Sequence, residues 1–507
     1  MIKTTTSHIA FGAFMLAVVI ALNGFIAGLA AGDVAAATFH VGGKRGFKTI
    51  PGALKRARSG DVVVIKPGIY PGGFKVIRNV AIKAEPGAYI TLGPEQIITV
   101  KGVSKVELIG LNISSTAKAD AKGHVTLLEI IASRKVAVRN CYISASGGWG
   151  ATIKDSRDIS MENCHISGTG EVGISLEGER ILLRKTTVTG FEFGVVVKAG
   201  KGIVLVSNLI DANNIGVLVA GGKVDVLGNT INGPGFAGID IRGGDVVITG
   251  NAVRRNQHGI LARAAGRGII KRNVLGQNSS NGLFVGGPKY TVSLNTISYN
   301  AGNGIFLSPV GKWSTGVRAK VLQNVVSSNK GSGIVVTGGS EVSVRQNLLE
   351  NNYNGIRVGK GVAEIARNTI VLNTGSGVRM TSGAETKLQK NIIANNQIGI
   401  YAYADAKIKS DNNVIYGHIW GQGFQLFGAN YMKQGWLPTL SGDEVLLNVA
   451  PARDLRAPSD LAVDPGFVKL GRDYRLRLNS DLLKRFKTTS LPGAFPVVGS
   501  DSEPSSK

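Results

Sequence analysis

Only two cysteines, Cys141 and Cys164, occur in the 507 residues, so one disulfide at most is available outside the cytoplasm. No block of like charge is present, which excludes a basic tail of the kind that trails from many polyanion-binding proteins. After one apolar run near the N-terminus there is no second, so the chain offers a single membrane-length segment. Leucines follow no regular spacing, which argues against leucine-rich repeats, and the repeat described below is too short for a β-propeller blade.

What is present is glycine and positive charge. The chain has 70 Gly and 58 Lys+Arg against 33 Asp+Glu, a formal net charge of +25. Hydrophobic residues make up 43%, enough for a sizeable core in one large domain or two ordinary ones. Such a balance calls for an acidic partner: nucleic acid, anionic lipid or an acidic glycan. Residues 1–37 narrow the choice. Lys3 precedes an apolar stretch from Ile9 to Ala31, and Ala35-Ala36-Ala37 offers a small-residue cleavage site before Thr38. This reads as a secretory signal peptide, although the stretch is also long enough for an uncleaved anchor. Export to the periplasm or the extracellular space makes nucleic acid an unsuitable partner. It leaves an acidic polysaccharide, with membrane contact only through the signal segment.

A repeat organises the rest. Gly followed by an aliphatic residue recurs from Gly173-Ile174 to Gly399-Ile400 at spacings of 21 to 23 residues, with one of 29 where Pro309 to Thr315 is inserted. In step with it run Asn208, Asn229, Asn251, Asn273, Asn295, Asn324, Asn347, Asn368, Asn391 and Asn413, preceded at the same position by Cys141, Cys164 and Thr186. Five residues later stands a second set, including Asn278, Asn300, Asn329, Asn352, Asn373 and Asn396. The apolar runs between them, such as Val246-Val247-Ile248, are short and alternate. A period near 22 fits three short strands per coil of a solenoid, with strands stacked about 4.8 Å apart. Asparagines repeated at one turn would form amide ladders, and Gly and Asn would supply left-handed corners. The register predicts Cys141 and Cys164 as stacked, buried thiols. The expected fold is all-β: a single-stranded right-handed parallel β-helix of about twelve or more coils.

Its ends carry caps. Thr49 is placed to cap a short helix through Ile50 to Ala57. Residues 38–100 then form the N-terminal cap and first coils, and 101–416 the repeats. Residues 417–498, with Trp420, Phe424, Phe427, Tyr431 and Trp436, form an irregular C-terminal cap, and 499–507 a disordered tail.

In the strand after each repeat glycine, positions two and four face outward. That face reads Val196/Lys198, Leu218/Ala220, Asp240/Arg242, Leu261/Arg263, Phe284/Gly286 and Phe306/Ser308, and later Arg357/Gly359, Arg379/Thr381 and Tyr401/Tyr403. Arg242 with Arg263, and Arg357 with Arg379, lie one coil apart and suit successive carboxylates on an extended acidic sugar chain. Phe284, Phe306, Tyr401 and Tyr403 offer stacking surfaces for sugar rings. Catalysis on a uronate, by elimination or epimerisation, would begin by removing the proton at C5. Arg242 and Arg263 would neutralise the carboxylate, Lys198 or His258 would be the base, and Asp240 would orient an arginine. A salt-bridged Lys154-Glu177-Lys198 ladder and solvated arginines are the plainer reading of the same face. No metal or cofactor is expected, because the face lacks a carboxylate cluster. Glu177 and Asp240, three coils or roughly 14 Å apart, are too distant for a two-carboxylate hydrolase.

These residues resemble a known superfamily. Thr49 to Tyr70 looks like the entry to pectate-lyase-like, carbohydrate-binding β-helix proteins, and the repeats from about Gly123 to Asn413 resemble the same group. Asp464-Pro465-Gly466-Phe467 with Asp473-Tyr474-Arg475-Leu476 looks like a closing segment of exported members. Periplasmic mannuronan C5-epimerases carry Gly-Ile-Asp-Pro-His-Asp on their catalytic strand, and this chain has Gly238-Ile239-Asp240-Ile241-Arg242-Gly243. The Gly, the aliphatic residue and the first Asp match; the Pro, the His and the second Asp do not. The paired-Asp motifs of polygalacturonases are missing. The resemblance implies an exported β-helix acting on polysaccharide as a lyase or C5-epimerase. The alternatives are a non-catalytic glycan-binding or export protein and a structural surface solenoid.

Overall fold

The computed structural model describes residues 36–115, 126–263, 266–310, 316–403, 405–419 and 425–427, and short pieces at 464–465, 467–470 and 473–476. The chain winds as a right-handed parallel β-helix of about sixteen coils. In three coils the first two strands run on as one, at Trp149–Glu162, Val172–Arg184 and Phe193–Val206, and most other coils contribute three short strands. In one of them these are Ala237–Ile241, Asp245–Thr249 and Ala252–Arg254, after which His258–Ala262 opens the next. The first two strands of each coil build a 30-stranded sheet and the third a 16-stranded sheet. Pairing between coils is parallel and in register, with Ala237 opposite His258 and Asp240 opposite Leu261. Alternation sends Ile239, Ile241, Val246, Ile248 and Val253 into the core, each at most 3% exposed.

The repeat glycine is required by space. A Cβ on Gly282 would sit 2.6 Å from Ile297 Cγ2 and 2.8 Å from Asn300 Nδ2, inside the coil. The left-handed corner falls on the residue before each ladder asparagine. Gly228 (φ 60°), Gly250 (φ 70°) and Asn412 (φ 55°) meet the expectation of Gly or Asn there, whereas Ser207 (φ 55°), Arg272 (φ 55°), Leu294 (φ 57°), Gln323 (φ 56°) and Lys390 (φ 53°) do not. The asparagine that follows is then free to point its amide inward and along the axis.

Both ladders form. From Asn208 to Asn413, each Nδ2 donates to the Oδ1 of the next coil's asparagine at 2.8–3.0 Å. The same Oδ1 accepts the preceding asparagine's backbone N–H, as Asn324 does for Asn295 at 2.9 Å. A second ladder runs from Asn278 to Asn396. These amides are wholly buried, so each rung matters chiefly because an unmet donor there costs about 1–3 kcal/mol. Cys141 and Cys164 are free, buried thiols in the same line, as the register predicts.

At the N-terminal end, Thr49 Oγ1 accepts from Gly52 N–H at 3.2 Å and starts the helix Ile50–Arg56, which sets Ile50 and Ala53 on the first coils. Among the described residues no helix is long and apolar enough to cross a membrane. The signal segment, most of the expected C-terminal cap and the tail lie outside the described residues. Of that cap, Gln425–Phe427 continues the parallel sheet beyond Tyr401. Phe467–Lys469 pairs antiparallel with Asp473–Leu476.

Candidate functional site

The outward side chains of the first strand form unbroken columns along the axis. Position two after the glycine reads Leu218, Asp240, Leu261, Phe284, Phe306, Val335, Arg357, Arg379 and Tyr401, each a Cα partner of the next. The residue before the glycine faces the same way. In the early coils Trp149, Val172, Phe193 and Ile215 pack there with Val196 and Leu218 into an apolar cluster separate from the core.

Asp240 is the centre of the polar part. It points outward yet is 0% exposed, because two guanidiniums close over it. Arg263 grips it with two nitrogens, Nε to Oδ1 at 3.0 Å and Nη2 to Oδ2. Arg242 contributes Nε to Oδ2 at 2.8 Å, and its side chain is half exposed. Two cations and one carboxylate leave the group one net positive charge.

His258, one coil on, packs edge-on against Phe236 with ring centroids 5.6 Å apart. Burial, and then Arg263, push its pKa below the ordinary histidine value, with Asp240 opposing. It is therefore neutral at pH 7, and its buried Nδ1 has no hydrogen-bond partner among the described residues.

The structure thus brings Asp240, Arg242, Arg263 and His258 together. It does not bring Lys198 to them. The Lys198 ammonium lies 4.7 Å from the Trp149 ring centroid, two coils away on the side opposite Arg242. No ion pair joins Lys154, Glu177 and Lys198 among the described residues, so the expected ladder is replaced by this cation–π contact. Phe284 and Phe306 form a half-buried pair with centroids 5.6 Å apart. Arg357 and Arg379 are register partners, and the Arg379 guanidinium lies 5.1 Å from the Tyr401 ring centroid. Tyr401 is 7% exposed beneath Arg379 and Tyr403, so Tyr403 is the more open ring of that pair.

Trp149, Phe236 and an outer amide ladder were not among the expected site residues. In that ladder Asn303 Nδ2 donates to Asn281 Oδ1 at 3.0 Å, and Ser332 N–H to Asn303 Oδ1 at 2.9 Å. For Trp149 and the ladder the signal was present in the position just before each repeat glycine, which turns from Trp, Val, Phe and Ile to His, Asn and Ser along the chain. A groove of about 720 Å³ opens elsewhere, beside Arg134, Asp155, Arg157 and Glu179, and includes none of these residues.

The family model described as right handed beta helix region matches residues 96–245 and 216–349, together half of the chain. The chain belongs to the right-handed β-helix family. A second model, described as periplasmic copper-binding protein (NosD), matches residues 311–433 of this β-helix protein. The described residues of that segment do not suit copper. Its single histidine, His418, is buried against the end of the inner amide ladder, Met380 is sealed in the core, and no cysteine is present. Among the described residues no three His, Cys, Asp or Glu side chains gather at one point. No curated protein matches the chain. Solved structures similar to this β-helix protein include PfbA, a surface adhesin of Streptococcus pneumoniae (11% identity, 69% of this chain and 85% of that one, TM-score 0.34). A Yersinia enterocolitica family 28 exopolygalacturonase is 10% identical over 79% of each chain, with a TM-score of 0.37. The periplasmic alginate epimerase AlgG is 13% identical over 73% of this chain and 77% of its own, with a TM-score of 0.29.

Proposed function

We propose that this is an exported β-helix protein that holds an acidic polysaccharide along the outer face of its first strand. The observation that carries this reading is the Asp240 group. A carboxylate buried beneath two arginines fixes both guanidiniums, and the half-exposed Arg242 side chain is left available to a sugar carboxylate. Arg357 and the aromatic pair Phe284–Phe306 extend the same face. The apolar segment with its Ala35-Ala36-Ala37 site, and the match to a family described as periplasmic, support export. The test is a binding screen of the mature protein against acidic and neutral polysaccharides. Binding confined to acidic chains and lost in Arg242→Ala/Arg263→Ala supports the site. Binding without acidic preference, or unchanged in the double variant, removes it.

A second reading, C5-proton abstraction by a lyase or epimerase, is favoured by His258. It is neutral at pH 7 and lies beside Arg263, the two properties wanted of a base next to a neutralised carboxylate. New absorbance from an unsaturated uronate would support a lyase, and solvent deuterium at C5 an epimerase. Either signal persisting in His258→Ala would exclude His258 as the base.

A further inference from the structure

Charge on the outer face is arranged in blocks. The coils through Asp240 and Leu261 carry Arg242 and Arg263. The next three, through Phe284, Phe306 and Val335, have no charged side chain at the position before the glycine or at positions two and four after it. The two after those carry Arg357 and Arg379, again with no carboxylate in these columns. The centres of the two cationic blocks are five coils apart, about 24 Å at the usual strand spacing.

The uncharged block has its own chemistry. Phe284 and Phe306 stand as a half-buried pair on this face, and aromatic faces carry partial negative charge. A carboxylate laid over them would lose water and meet that charge, with no cation within the block to offset the loss. A neutral sugar would instead rest its C–H surface on the rings. Asn281 and Asn303, at the position before the glycine on the same two coils, add part-exposed amides to the block. A pyranose in an extended chain advances by roughly one coil, so about five sugars separate one cationic block from the next.

We infer that the ligand is a linear acidic heteropolysaccharide with widely spaced carboxylates, one uronate in each oligosaccharide repeat, and not a homopolyuronate charged at every sugar. This rests on the face being the acidic-glycan site proposed above. It assigns the two arginine blocks to successive repeats and the Phe284–Phe306 pair to the neutral sugars between.

The test measures binding of the mature protein by calorimetry to three chains of matched length. These are deacylated gellan, with one glucuronate in each repeat; polymannuronate, charged at every residue; and a neutral linear glucan. Affinity for gellan at least tenfold above polymannuronate is expected, with loss of gellan binding in both Arg242→Ala and Arg357→Ala. Phe284→Ala/Phe306→Ala, which leaves the core untouched, should weaken gellan and leave polymannuronate unchanged or tighter. Polymannuronate binding as tightly as gellan, with the same response to the phenylalanine variant, would overturn the inference and leave the acidic-glycan reading standing. Neutral glucan binding as tightly as gellan, or no binding of either acidic chain, would overturn both.

Discussion

His418 occupies the end of the inner amide ladder, its Nδ1 3.3 Å from the backbone nitrogen of Asn396, where every coil from Asn278 onward presents an asparagine Oδ1. Its ring also presses on Gly399, where a Cβ would meet ring atoms at 2.7 Å.

Burial drives the His418 pKa down to about 4 in the folded chain. In the unfolded chain it titrates near 6.5. Between these values the unfolded chain binds the extra proton, so stability from this group is complete above about pH 6.5 and is lost as pH falls toward 4. The full difference is up to about 3 kcal/mol. His418→Asn should continue the ladder and flatten this dependence. Melting temperatures of both forms from pH 4 to 8 will show it; parallel curves would mean His418 contributes nothing to the slope.

Asn295 accepts from both the Nδ2 and the backbone N–H of Asn273. Asn295→Ala removes that acceptor and orphans two buried donors. A loss of about 2–4 kcal/mol is expected, from one to two unmet buried donors. Amide exchange should quicken most around residues 273 and 295; uniform exchange across the coils would contradict a local role.

Asp240→Asn should trade stability for affinity. The variant removes the charge that holds Arg242 and Arg263, which costs about 1–3 kcal/mol for a partly exposed cluster of this kind. It also raises the net charge of the face, so an acidic glycan should bind more tightly at low salt and lose more affinity as salt rises. A variant with unchanged salt dependence would show that these arginines do not meet the ligand.

Leu294 holds a left-handed backbone and exposes 38% of its surface. Leu294→Asn should stabilise by about 0.5–1 kcal/mol, since asparagine tolerates this region better. Leu294→Val should destabilise, because a β-branched residue tolerates it least. Chemical denaturation of the two variants gives the order; Val at or above Asn would refute it.

The coils were legible because burial repeats every 22 residues or so, and a core face written by alternation leaves little choice of register. The inward Val226–Ile248–Ile270 line and the stacked thiols of Cys141 and Cys164 followed from that alone. The site was legible only as a column. Periodicity places Asp240, Arg242 and Arg263 on one face, but it does not say that both arginines fold over the aspartate until it loses contact with water. Nor does it say which way a long flexible side chain turns: Lys198 swings to Trp149 because an indole face is there to receive it. The left-handed corners were legible only in part. Asparagine is the marker that repeats, whereas the residue before it varies from Gly228, Gly250 and Asn412 to Ser207, Arg272 and Leu294.

The asparagine ladder has a direction. Every rung from Asn208 to Asn391 donates toward the C-terminal end and accepts from the N-terminal one. The ladder is therefore a polar line, closed at its start by the Thr186 backbone N–H on Asn208 Oδ1 and at its end by the Asn413 amide turning to Leu388 O and Ser410 Oγ. A chain released N-terminus first would carry its unmet donors always on the youngest coil, each silenced by the next turn to arrive. Growth would advance one coil at a time, in one direction.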